Sequence, residues 1–240
     1  MPDTDLASGR PTAERVRGIF SQIADRYDVF NAMASMGIDR SWRCELVRAC
    51  RLTPESKVLD LASGTGDVAF AIANQGHPAE VIATDFVPEM LAVAEKKAAQ
   101  NPPAVPVSFS VADAQDLPFE DSSFDVVTVA FGVRNFPERE RNFAEVLRVL
   151  KPAGRYIILE FSRPNLAPWR GIYHVYLRHA IPAIGGALTG DRAGFVYLND
   201  SIRQFPTQPE LAAELREAGF SAISWKDLSG GIVALHTAVK

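Results

Sequence analysis

The stretch Lys57-Val58-Leu59-Asp60-Leu61-Ala62-Ser63-Gly64-Thr65-Gly66-Asp67, followed by Val81-Ile82-Ala83-Thr84-Asp85, constrains the fold more than any other part of the chain. Two apolar runs rich in β-branched residues bracket a helix-length segment from Val68 to Gln75 and read as the first βαβ unit of a parallel sheet. A nucleotide-type pocket then belongs at the strand ends. Gly64 and Gly66 let the backbone turn sharply after the first strand and approach a ligand closely. Asp85, at the end of the second strand, is placed to accept both hydroxyls of a ribose. With Ala69 the run also fits the dinucleotide pattern G-x-G-x-x-A, a weak match taken alone.

Charge separates the two readings. A dinucleotide rests its pyrophosphate on the helix N-terminus, where the positive dipole end and free N–H groups favour an anion. Here Asp67 occupies that position and Asp60 lies just below it, so a pyrophosphate would be repelled. S-adenosylmethionine has no phosphate and carries an ammonium and a sulfonium, which acidic groups around the turn would suit.

The next segments continue the pattern. Val107 to Val111 reads as a third strand, with Asp113 in Ala112-Asp113-Ala114 placed to bind an adenine amino group. Phe124 to Ala130 is nearly continuous in apolar residues, which predicts a fourth strand covered on both faces. Phe131-Gly132-Val133-Arg134-Asn135 then leaves the sheet at its ligand edge. A helix is expected from about Pro137 to Leu150, ended by Lys151-Pro152-Ala153-Gly154, and a fifth strand from Arg155 to Phe161. A helix from about Pro209 to Ala218 precedes strands over Ala222–Asp227 and Ile232–Val239. The Gly230-Gly231 turn is too short for a parallel crossover, so the expected architecture is α/β, a seven-stranded mixed sheet with one antiparallel strand. Asp60, Asp85 and Asp113 each have a plainer reading as turn or cap residues; their succession at three strand ends argues for a site.

Composition narrows the class. The net charge of −4 and the absence of any long basic run argue against a nucleic-acid partner. Cys44 and Cys50 lie six apart on an expected helix and point to different faces, which fits reduced thiols and a cytoplasmic setting. The N-terminus lacks the apolar core of a signal peptide, and no apolar run approaches a membrane span. No Cys/His spacing suggests a metal site.

Two segments fall outside the sheet pattern. An N-terminal arm or lid over residues 1–45 has helical apolar spacing at Val16, Ile19, Phe20 and Ile23, then mixes aromatic and hydrogen-bonding groups through Tyr27-Asp28-Val29-Phe30-Asn31. Its apolar groups would close over a pocket or merely dock the arm onto the domain of residues 46–240. An insert at about 164–205 carries Trp169, Tyr173, Tyr176 and Ile181 among Arg170, His174, Arg178 and His179. Such a helix could wall a greasy pocket, touch a bilayer surface peripherally through Trp169 to Leu188, or form a homodimer face. His174 and His179 read as members of a solvated face.

Arg148-Val149-Leu150-Lys151-Pro152-Ala153-Gly154-Arg155-Tyr156-Ile157-Ile158-Leu159-Glu160-Phe161-Ser162 closely resembles one signature of the ubiquinone/menaquinone biosynthesis C-methyltransferases, and Tyr27 to Arg43 is similar to the other. Phe131 to Asn135 and Ser201 to Pro206 also look like segments of that family, so the resemblance runs from about Gly18 to the C-terminus. It implies a class I S-adenosylmethionine-dependent methyltransferase (Rossmann-like) fold. It implies C-methylation of a polyprenylated quinol, demethylmenaquinol to menaquinol, with a lipid quinol as partner. The family's donor-binding positions fall here on Thr65, Asp85, Asp113 and Ala114, and the candidate donor site also takes in Asp60, Gly64, Gly66, Phe86 and Ala130. This chain departs from the family pattern at Asp39, where His is usual, and at Ala130, where Ser is common. Ala62 stands where methyltransferases often have Gly.

A phenolic hydroxyl titrates near 10, as in Tyr, so a quinol methylase must assist deprotonation or stabilise the phenolate. Arg134, for oxyanion charge, and Asn135, to orient the hydroxyl or a water, are the first candidates. Tyr27 and Asp28 are second candidates, for closing the pocket or accepting the proton. The competing reading of Arg134 is a surface ion pair. A methylase for another small apolar acceptor, or a donor-binding subunit without catalysis, remains open at this point.

Overall fold

The computed structural model describes residues 27–35, 37–164 and 193–240, together with residues 14, 17, 18, 21, 24, 171, 173, 175, 176 and 178. After α1 (Tyr27–Ser35) and α2 (Asp39–Cys50), strands and helices alternate through β1 (Lys57–Leu61), α3 (Asp67–Gly76), β2 (Glu80–Asp85), α4 (Pro88–Gln100), β3 (Val107–Val111) and β4 (Phe124–Ala130). Then come α5 (Arg139–Val149), β5 (Leu150–Phe161), α6 (Ala193–Gln204), α7 (Gln208–Glu217), β6 (Ser221–Leu228) and β7 (Val233–Val239). The seven strands form one sheet in the order β3-β2-β1-β4-β5-β7-β6. Only β7 runs against its neighbours, pairing antiparallel with both β5 and β6. This agrees with the mixed sheet expected from the Gly230-Gly231 turn.

Strand alternation divides the core into two layers. Leu59, Leu61, Val127 and Val129 face Phe143 and Leu211 of the helices on one side. Their neighbours Val58 and Val126 face Leu46 and Ile72 on the other. Because successive side chains point to opposite faces, a strand covered on both sides is apolar at most positions, and β1 and β4 read as near-continuous apolar runs whose buried polar members, Asp60 and Thr128, bond each other. The sheet order reverses direction between β1 and β4, and the crevice at such a switch point is where open α/β sheets bind ligands.

Three boundaries differ from the sequence expectation. The segment Lys151-Pro152-Ala153-Gly154 lies inside β5 as a bulge, since Leu150 pairs with Phe124 while Arg155 already pairs with Val126. Residues Val133–Asn135 form a 3₁₀ turn, so α5 starts at Arg139 rather than Pro137. The delay follows from tertiary contacts: Glu138 spends its N–H on the Gln115 side chain, and Arg134 is drawn toward β5. Finally, α2 crosses the boundary expected near residue 45, and its Trp42, Leu46, Val47 and Cys50 belong to the sheet core. Most of the insert, including Trp169, His174, His179 and Ile181, lies outside the described residues. Among the described residues no helix is long and apolar enough to cross a membrane.

Candidate donor and acceptor site

Sharp backbone turns at the carboxyl ends of β1, β2 and β4 make the site. Gly64 and Gly66 have positive φ, and a Cβ on Gly66 would come within 2.8 Å of the Phe70 ring. Ala62 also adopts the left-handed region, with φ of 49°. Its methyl leaves no room for one on Gly132, where an added Cβ would sit 2.7 Å away. The turns after β1 and β4 are thereby held against each other. Phe131 has φ of 57°, a rare state for a bulky residue. It persists because Leu159 O accepts its N–H at 2.8 Å, Arg134 donates to its carbonyl, and its ring packs 4.6 Å from Phe161.

Between these turns lies an open cleft, about 770 Å³ when the space at its mouth is included. Gly64, Asp85, Phe86, Asp113, Ala114, Ala130 and Asn135 line it, as the sequence reading expects of binding residues. Asp85 Oδ2 accepts Gly64 N at 2.8 Å and Oδ1 accepts Val87 N at 2.8 Å. Burial pushes its carboxyl above the usual range, opposed by those two N–H groups. Asp113 Oδ1 accepts the N–H of Gln115 at 2.9 Å, while its Oδ2 takes no hydrogen bond among the described residues. Val87, Met90, Phe131 and Phe136 complete the walls.

Other expected site residues stand behind the cavity wall. Asp60 is 1% exposed and accepts the hydroxyls of Thr128 at 2.6 Å and Ser63 at 2.7 Å. It braces the glycine turn from below. Burial raises its carboxyl to about 7, against the pull of the two hydroxyls, and nearby Asp85 raises it further. A folded-state value above the unfolded one favours the fold fully below the unfolded pKa, and that contribution is lost as pH rises through about 7. Wild type is therefore expected to lose roughly 2–3 kcal/mol relative to Asp60→Asn between pH 5 and pH 8. Urea titrations of both proteins at the two pH values measure this, and parallel behaviour would refute the buried acid.

Thr65, 2% exposed, donates its hydroxyl to Asp28 of α1. Lys97 bonds Asp28 at 2.8 Å and Asp67 at 2.6 Å, and Arg43 stands 3.4 Å from Asp67 and 2.6 Å from Asp39. This network ties α1 to the start of α3. Both oxygens of Asp28 are engaged, one by the Thr65 hydroxyl and the other by Lys97. The side chain of Tyr27 lies outside the described residues. Asp67, read from sequence as an uncompensated carboxylate at the helix terminus, is neutralised by Lys97 and Arg43. The carboxylates that do face the cavity are Asp85 and Asp113. They preserve its acidic character, and among the described residues no basic side chain is in the lining; the guanidinium carbon of Arg17 stands 5.9 Å from the Phe86 ring centre.

Arg134 is neither at the open edge nor in a surface ion pair. Its side chain is 4% exposed and its Nη1 lies 2.9 Å from Glu160 Oε1, with the guanidinium carbon 5.3 Å from the Phe161 ring centre. Burial favours the neutral form of Glu160, and the adjacent guanidinium opposes it. Sequence reasoning overlooked Glu160, although an acid inside the apolar run Ile157-Ile158-Leu159-Glu160-Phe161 signals a buried charge that needs a partner. Lys97, which joins Asp28 to Asp67, carries no comparable signal on an amphipathic helix.

The chain matches the model of the ubiE/COQ5 methyltransferase family over residues 10–240. It is 44% identical over 225 residues to a demethylmenaquinone methyltransferase of Streptomyces avermitilis, covering 94% of each chain. It is 42% identical to a ubiquinone/menaquinone biosynthesis C-methyltransferase of Rickettsia felis, covering 94% of this chain and 92% of that one. Among solved structures, an S-adenosylmethionine-dependent methyltransferase of Thermotoga maritima matches with a TM-score of 0.63 at 19% identity, over 93% of this chain and 99% of that one. The [4+2]-cyclase SpnF matches with a TM-score of 0.70 at 18% identity, over 96% and 97%. These likenesses show a class I methyltransferase fold, and the cyclase shows that such a fold does not by itself specify a reaction.

Proposed function

The chain belongs to the ubiE/COQ5 methyltransferase family, and from that premise we propose that it methylates a ring carbon of a polyprenylated quinol, demethylmenaquinol to menaquinol, using S-adenosylmethionine. The observation that carries this reading is one cavity, at the sheet's switch point, lined by Asp85, Asp113 and Asn135 among apolar residues. The donor supplies a methyl group on a cationic sulfonium, which suits an acidic lining. Each oxygen of Asp85 holds one backbone N–H and retains lone-pair capacity for a ribose hydroxyl. The open oxygen of Asp113 can accept an adenine amino group, while Phe86, Val87 and Met90 keep water from the ring.

On the acceptor side, Asn135 can orient the hydroxyl whose ionisation sends charge onto the attacking carbon. Arg134 shares its charge with Glu160, so its help to a developing oxyanion comes through whichever N–H it has left to give. The decisive experiment supplies purified protein with methyl-labelled donor and reduced short-tail demethylmenaquinol. Label on the ring carbon is expected. Donor binding without transfer to any acceptor would overturn the reading in favour of a non-catalytic donor-binding subunit.

A further inference from the structure

Four buried side-chain atoms lack a hydrogen-bond partner among the described residues, and three of them, Arg134 Nε, Ser162 Oγ and Tyr173 OH, belong to residues associated with the ends of β4 and β5. Their residues are 7%, 5% and 5% exposed. Buried polar groups are almost always paired, so three orphans associated with one pair of strand ends ask for a ligand. Arg134 and Ser162 follow the ends of adjacent strands, since Ala130 of β4 pairs with Leu159 of β5. Ser162 lies two residues beyond Glu160, on the same side of an extended chain, and Glu160 holds Arg134. Tyr173, from the insert, is close enough that the charges of both Arg134 and Glu160 act on its hydroxyl. Arg134 ties this group to the cavity, because it donates to the carbonyl of Phe131, a residue of the cavity wall.

We propose that Ser162 and Tyr173, with Arg134 Nε, form the recognition site for one phenolic hydroxyl of the acceptor, an inference that rests on the quinol reading above. Arg134 Nε can only donate, whereas the two hydroxyls donate or accept. A phenol offers one O–H and two lone pairs. It therefore accepts from Arg134 and Tyr173 and donates to Ser162, and all three orphans are matched at once. A carboxylate in this place would set a second negative charge beside Glu160, and a hydrocarbon would leave all three unpaired. The site thus selects a neutral hydroxylated ring.

Tyr173→Phe, Ser162→Ala and the double variant test this in the full chain. Each single change is expected to raise KM for reduced short-tail demethylmenaquinol roughly tenfold and to leave donor affinity unchanged. Thermal stability without ligands should hold or rise, because an unmatched buried hydroxyl has been removed. A merely structural hydroxyl would give the opposite result, a lower melting temperature with KM preserved. Wild type should also discriminate against the mono-methyl ether of the quinol, and the double variant should lose that preference. Unchanged KM and unchanged selectivity in an active double variant would overturn the inference while leaving the quinol reading intact. A wild-type protein that transfers no methyl to any quinol would remove both.

Discussion

Arg134→Met is expected to destabilise the protein by about 3–5 kcal/mol, the cost of stranding a buried carboxylate once its partner is removed. Glu160 is 2% exposed, and Arg134 Nη1 at 2.9 Å is its compensating charge. Natural domains hold only about 5–15 kcal/mol in total, so such a loss would bring this one close to unfolding at moderate temperature. The same change releases the Phe131 carbonyl that the guanidinium holds, and with it the left-handed turn at the cavity wall. Simple truncation at 134 would thus abolish turnover through the fold as well as through the acceptor, and cannot isolate a chemical role. Adding Glu160→Gln removes the stranded charge, and the double variant should recover more than half of the loss. Urea unfolding of wild type, both single variants and the double variant measures the coupling. Arg134→Met within about 1 kcal/mol of wild type would show that the pair does not hold this edge together.

Asp85→Asn is expected to weaken binding of S-adenosylmethionine by roughly 100-fold or more, despite near-identical shape. Asp85 accepts a backbone N–H on each oxygen, from Gly64 at one and Val87 at the other. Asparagine must place its own amide N–H₂ against one of those donors, so one turn is pushed away whichever way the amide faces. The variant also loses a charged acceptor for the ribose. Hydrogen bonds to charged groups are worth about 1.5–3 kcal/mol each, and about 1.4 kcal/mol is tenfold in affinity, which sets the expected scale. Calorimetry with adenosylhomocysteine as well as the donor checks this without turnover. Affinity within fivefold of wild type would mean that the carboxylate does not organise the donor site.

The strands of the first half of the sheet were largely legible in the sequence. The bounds of β3 and β4 agree with the sequence pattern, and the Gly230-Gly231 turn announced the antiparallel β7. Seven of the candidate site residues, from Gly64 to Asn135, line one cavity because strand ends and sharp turns carry them there together. Asp60, Thr65 and Arg134 carried the right chemistry for a site but lie beneath it, and no local pattern distinguishes a carboxylate above a turn from one below. The bulge at Lys151-Pro152-Ala153-Gly154 was hidden for a related reason: a Pro-Gly segment reads as an interruption, while its continued pairing depends on β4 lying alongside.

Alternation and turn chemistry are written within a few residues of chain, because they follow from where consecutive Cβ atoms point and from which φ values glycine permits. They account for the βαβ units, the direction of the last strand and the acidic character of the cavity. The pairing of charges arises otherwise. Arg134 finds Glu160 on the neighbouring strand, Lys97 joins Asp67 to Asp28 of α1, and Tyr173 arrives from an insert. Those partners lie far apart in the chain and meet only when the strands take their order, since burial of a charge and the identity of its neighbour are properties of the packed core.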